Sequence, residues 1–139
     1  MEARLSIISL GVTDLGRASD FYLNLFGWKK SDNSNENITF MHLNGMYLSL
    51  YKREALAEDA GVSAEGIGFK AFSLAYNTRT EAEVDQLFEA FEKKGVKIVK
   101  KPKKVFWGGY SGYIADPDDN LWEIAYNPFV EIDAEGNIQ

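Results

Sequence analysis

Ile8-Ser9-Leu10-Gly11-Val12-Thr13 returns in pattern as Phe72-Ser73-Leu74-Ala75-Tyr76-Asn77, with Ser9 and Ser73 marking an offset of 64 residues. In both copies bulky side chains alternate with small ones, the period of a strand that buries one face. Each copy is followed by apolar residues at helical spacing: Leu15, Ala18, Phe21, Tyr22 and Leu25 after the first, Val84, Leu87, Phe88 and Phe91 after the second. The first helix is expected over residues 15–26, stopping at Gly27. The second opens with Thr80 and Glu83 at the spacing of a capping box and stops at Gly95. A repeat of this kind in 139 residues predicts one α+β domain built from tandem βαβββ modules. The expected division is a first module over 1–60, a connector over 61–68, a second module over 69–128 and a C-terminal tail over 129–139.

Three strands are expected after each helix. In the first half the clearest pair is Ile38–Leu43 with Met46–Lys52, joined by Asn44-Gly45, a dipeptide that suits a turn needing positive φ. In the second half residues 110–116 and 120–126 flank Pro117-Asp118-Asp119, with Asp119 expected in the left-handed region. The tail is expected to form a small hairpin around Glu135-Gly136.

Period-two alternation sorts the side chains between a helix-covered face and a second face. Leu10, Leu48, Leu50, Phe72, Leu74, Trp122 and Ile124 are assigned to the helices. The turn lengths then pair Phe40 with Ser49, His42 with Tyr47, and Tyr113 with Glu123. The second face holds Phe40, His42, Tyr47, Ser49, Tyr51, Ser73, Ser111, Tyr113 and Glu123, with Gly11, Ala71 and Ala75 as small floor positions. Small floors beside aromatic walls point to a cavity between concave sheets rather than a filled core. In Phe106-Trp107-Gly108-Gly109-Tyr110, Trp107 is either part of a flap over that cavity or a core residue beside an ordinary loop.

Composition narrows the chemistry. There is no cysteine, so disulfides and thiolate chemistry are absent. The net charge of −6 argues against nucleic acid as a partner. The sequence has no apolar run near the roughly 20 residues of a membrane span, and Met1-Glu2-Ala3-Arg4 has no signal-peptide character; a cytoplasmic protein is expected. Seven lysines crowd residues 93–104, either as protection for an edge strand or as an attractant for an anion. Asp116-Pro117-Asp118-Asp119-Asn120 has the spacing of half a calcium loop, but Leu121 stands where glycine is required.

Three features together resemble one superfamily: the duplicated βαβββ plan, Ser9-Leu10-Gly11-Val12-Thr13-Asp14-Leu15 leading to Phe21-Tyr22 and Phe26-Gly27, and Asp116-Pro117-Asp118-Asp119-Asn120-Leu121-Trp122-Glu123. This is the vicinal oxygen chelate superfamily of glyoxalase I, bleomycin-resistance proteins, fosfomycin-resistance enzymes and extradiol dioxygenases. The resemblance covers nearly the whole chain. It implies a homodimer and, in metal-dependent members, histidine, glutamine or glutamate at positions that fall here on Ile7, Ser49, Ala71 and Glu123. Only Glu123 is a usual ligand type, so no metal and no cofactor are expected. Non-metal members bind a small molecule, and the expected ligand is small and apolar or aromatic, with any negative end towards the lysines. One alternative is a metal-independent lyase or isomerase using Glu123 as a general base on a small carbonyl compound. A second is a metal-dependent enzyme, lactoylglutathione lyase-like or dioxygenase-like, in which His42 would have to be a ligand.

Overall fold

The computed structural model describes residues 6–61, 63–70, 72–106 and 108–138. The chain divides into two compact units, Met1–Gly68 and Phe69–Gln139. Each is an open mixed sheet with helices.

Unit 1 runs β1 (Ile7–Val12), α1 (Leu15–Asp20), β2 (Ile38–Leu43), β3 (Met46–Lys52) and α2 (Arg53–Ala60). Asp14 caps α1 by accepting a hydrogen bond from the Arg17 amide at 2.9 Å. The helix does not run on in regular form to Phe26. It widens into a π-type turn over Phe21–Leu25, and the rings of Phe21, Tyr22 and Phe26 meet with centroids 5.2–5.5 Å apart. Strand order is β1-β3-β2, with β1 parallel and β2 antiparallel to β3. Gly45 has φ 71° at the hairpin turn, which sets Phe40 opposite Ser49 and His42 opposite Tyr47. Leu10, Val12, Met41, Leu48 and Leu50 are buried with Ala18 and Tyr22 of the helix. Each buried Leu, Val or Met side chain contributes about 1.5–3 kcal/mol by leaving water.

Two expectations for this unit are corrected. The third strand of the first half is reduced to a single bridge, Lys30 with Met41. Residues 31–37 are polar, and their side chains take up backbone donors a longer ladder would use. The Asn35 side chain accepts from the amides of Asn37 and Ile38, and the Ser34 hydroxyl from that of Phe40. The second correction is α2, a helix where none was expected. Gly61, with φ 69°, ends it in a left-handed cap. The Arg53 guanidinium donates to the carbonyls of Ala64 and Gly66, tying the connector to the start of α2.

Unit 2 runs β4 (Leu74–Thr78), α3 (Glu81–Lys93), β5 (Lys97–Lys104), β6 (Tyr110–Ala115) and β7 (Leu121–Tyr126), in the order β4-β7-β6-β5. Thr80 accepts from the Glu83 amide, while the Glu83 carboxylate reaches one residue further back, to the Arg79 amide. Val84, Phe88 and Phe91 of α3 are buried with Ile114, Trp122 and Ile124 of the sheet. Between β6 and β7 the buried Asp116 carboxylate accepts from the amides of Asp118 and Asn120 and from the Asn120 side chain at 2.7–2.9 Å. Asp119 takes φ 60°.

Phe72 was expected against the helix, yet it lies outside β4 and is 40% exposed. The register explains this. Leu74 pairs with Trp122, so Phe72 would have to pair with Asn120. The Asn120 side chain is held by Asp116 and by the Lys70 ammonium, and the ladder starts after it. The C-terminal tail contains one bridge, Ile132 with Ile138, around a turn held by the Asp133 carboxylate.

Candidate functional site

Residues directly opposite one another in a sheet share a face. In unit 1 the face turned away from α1 carries three rows: Ile7–Tyr47–His42, Ser9–Ser49–Phe40 and Gly11–Tyr51–Ile38. The Tyr47 ring stands edge-on to both neighbours, 4.9 Å from His42 and 6.0 Å from Phe40 between centroids. Ser49 is fully buried and donates its hydroxyl proton to Ser9 Oγ at 2.8 Å. The third row is not an open floor. A Cβ on Gly11 would lie 3.4 Å from Leu56 Cδ2 and 3.6 Å from Arg53 Cα. Gly11 thus lies against α2, which an added methyl would meet at ordinary contact distance, and Tyr51 shares its row.

In unit 2 the face away from α3 carries two informative rows: Lys100–Tyr113–Glu123–Ala75 and Lys103–Ser111–Ala125–Asn77. Tyr113 is half-buried. Burial first, then the charge of Glu123 and a weak hydrogen bond to it, hold the phenol protonated above its ordinary range. The Lys100 ammonium sits 5.8 Å from the centre of the Tyr113 ring. Ser111 and Ala125 of the second row are buried.

Lys100 and Lys103 belong to the lysine-rich stretch noted in the sequence, which gave no face for them. Positions 97, 100 and 103 differ by odd numbers, so strict alternation puts neighbours in that series on opposite faces. Two register shifts in β5, between Ile98 and Lys100 and between Lys100 and Lys103, each insert a residue. Lys97, Lys100 and Lys103 then pair with Ala115, Tyr113 and Ser111, all on the face of Glu123. Pro102, which cannot donate to a ladder, is the one sequence signal of that irregularity.

Not every expected site residue joins these rows. Ser73 is exposed and precedes β4. Trp107 and Ala71 lie outside the described residues. A separate open cleft of about 550 Å³ lies beside α1, bordered by Asp14, Ser19, Asp20, Lys30, Glu36 and Lys52. Its charges are of both signs, and Lys52 already donates to Asn37.

The positions that the sequence resemblance assigns to a metal carry few donor atoms. Ile7 offers no donor atom, and the fully buried Ser49 hydroxyl, paired with Ser9, is not among the usual ligands of a catalytic divalent ion. Within unit 2, Glu123 stands opposite Tyr113 on one side and Ala75 on the other. Among the described residues, no group of three or more His, Cys, Asp or Glu side chains comes together. The residues do not fit a catalytic divalent ion.

Comparison with known proteins adds to this geometry. A model of the Glyoxalase/Bleomycin resistance protein/Dioxygenase superfamily matches residues 4–124. The uncharacterized protein YraH of Bacillus subtilis (strain 168) is 32% identical over 126 residues, 87% of this chain and 96% of that one. The crystal structure of a glyoxalase-related enzyme from Fulvimarina pelagi superposes with TM-score 0.89 at 35% identity, covering 99% of this chain and 98% of that one. The genomically encoded fosfomycin resistance protein FosX from Listeria monocytogenes superposes with TM-score 0.72 at 25% identity, over 93% and 97% of the two chains. No helix among the described residues is long and apolar enough to cross a membrane.

Proposed function

The chain belongs to the Glyoxalase/Bleomycin resistance protein/Dioxygenase superfamily, and from that membership we propose that it binds a small apolar or aromatic molecule without a resident metal ion. One observation carries this reading. The face of unit 1 turned away from α1 presents Phe40, His42 and Tyr47 as an aromatic ladder beside the row that α2 packs against, while the expected ligand positions Ile7 and Ser49 on the same face hold a hydrocarbon and a buried hydroxyl paired with Ser9. Aromatic faces supply about 0.5–1.5 kcal/mol per good ring contact beyond area burial, and a few polar groups fix orientation.

The test is a thermal-shift and calorimetric screen of aromatic compounds, with and without EDTA. Binding should be indifferent to the chelator. Phe40→Ala and Tyr47→Ala should each weaken a hit more than tenfold, about 1.4 kcal/mol. One zinc, nickel, iron or manganese per chain, lost in Glu123→Ala, would replace this reading with the metal-dependent lyase or dioxygenase one.

A second reading is favoured by the pairing of Tyr113 with Glu123. It gives the carboxylate a neighbouring phenol that stays protonated, so base and acid stand side by side as metal-independent proton transfer on a carbonyl compound requires. Exchange of an α-proton of small ketones and aldehydes in heavy water, abolished by Glu123→Gln, is its signature. Equal exchange by the parent and by Glu123→Gln would eliminate it.

A further inference from the structure

We infer that the face of unit 2 turned away from α3 holds the anionic group of a small acid, by Lys103 and Lys100 beside Ser111. This deepens the small-molecule reading above by naming a ligand class, with every contact drawn from unit 2. Lys97, Lys101 and Lys104 are tied to Asp119, Glu92 and Glu81 respectively. Among the described residues, Lys100 and Lys103 have no carboxylate partner in the structure. Two bulges turn them onto one face, and a bulge gives up ladder pairing to re-aim a side chain. An edge strand that needed lysines only for solubility could carry them on either face.

The row to which Lys103 belongs is chemically suited to an anion. Ser111 brings a buried hydroxyl and Asn77 a half-buried carboxamide, both able to donate, and the Ala125 methyl between them adds no competing charge. No acid stands in that row. Glu123 lies one row along, two residues away on β7, which is about 7 Å in a strand. The ligand's negative group is thus kept off the carboxylate, and a hydroxyl or N–H roughly 7 Å from that group would meet Glu123 as a donor. The chain as a whole carries −6, so its general field repels anions and the attraction has to be local.

The experiment uses three probes of one shape: 2-naphthoate, its neutral amide 2-naphthamide, and the cation 2-naphthylmethylammonium. Each is titrated calorimetrically into the full chain and into Lys103→Gln, Lys100→Gln, the double variant and the control Lys101→Gln. Melting temperatures check that each variant is folded. The naphthoate should bind at least tenfold tighter than the other two. The double variant should lose that tenfold for naphthoate and leave naphthamide unchanged. Raising salt from 0.05 to 0.5 M should weaken naphthoate alone, because it screens the ion pair. If naphthamide binds as tightly as naphthoate and the lysine variants change nothing, the anion site falls and aromatic binding stands. If Lys101→Gln costs as much as Lys103→Gln, a diffuse field replaces the site. If none of the three binds, both readings fall together.

Discussion

Gly112 lies in β6 opposite Ile124, on the face that packs against α3. A Cβ placed there would stand 2.6 Å from Phe88 Cζ, 2.7 Å from the Lys100 carbonyl oxygen and 2.9 Å from the Pro102 nitrogen. The ring tip of Phe88 can swing aside, but the other two atoms are backbone of the bulged strand β5. They fall roughly 0.6–0.8 Å short of an unstrained contact near 3.5 Å. Gly112→Ala therefore has to push β5 away from β6 at the segment between its two bulges. Overpacking of this kind costs about 2–3 kcal/mol. The smaller freedom of alanine in the unfolded chain returns less than ~1 kcal/mol. The net loss should lower the melting temperature by roughly 4–10 °C. Urea unfolding followed by tryptophan fluorescence is the assay, since Trp122 is buried in the same sheet. Gly11→Ala is the comparison, because its nearest neighbour is a side-chain methyl at 3.4 Å, and its stability should stay within about 0.5 kcal/mol of the parent. Equal stability of Gly112→Ala and the parent would refute the account, as would equal losses at the two glycines.

Further outcomes can be checked with the same protein. Asp119→Gly should raise the urea midpoint, because relief of the left-handed conformation at φ 60° is worth about 0.5–1 kcal/mol and the exposed pair with Lys97 contributes little. Asp116→Ala should cost about 2–3 kcal/mol, since it strands the amides of Asp118 and Asn120 in a buried turn. Tyr113, through burial and Glu123, and Tyr110, through its hydrogen bond to Asp85, both titrate above the ordinary phenol value. A raised native value makes the associated stability complete below about pH 10 and lost as pH climbs through the native values. Ultraviolet titration should show one late-titrating tyrosine fewer in Tyr113→Phe than in the parent; an unchanged late phase would contradict this. Light scattering at micromolar concentration should give the mass of two chains, the arrangement the family resemblance implies, and a monomer mass would count against it.

Much of this fold was legible because its punctuation is local. Asn44-Gly45 fixes a two-residue turn, and that turn fixes the partners of Phe40 and His42. Pro117-Asp118-Asp119 does the same for Tyr113 and Glu123. What alternation could not reveal was any departure from alternation. The bulges of β5 changed which lysines share a face with Glu123, and nothing but Pro102 marks them. Helix α2 escaped because Arg53–Ala60 has a weak apolar pattern and no side-chain cap at its start. Its packing against Gly11 is tertiary information, so a glycine that reads as a cavity floor proves to be the seat of a helix. Phe72 was misassigned for a related reason: its would-be partner Asn120 is claimed by a turn several residues away.

The parallel pairing of β1 with β3 also sets a schedule. Ser9 meets Ser49, so the first strand is synthesised 40 residues before the strand that completes it. At 5–20 residues per second that interval is roughly 2–8 s, whereas the β2–β3 hairpin needs only about 1–10 μs once made. Ile7, Ile8, Leu10 and Val12 must wait through that interval with their apolar side and both backbone edges unclaimed. For those seconds the nascent chain offers a holdase the kind of short β-prone segment such chaperones grip, and the hairpin's arrival ends the opportunity.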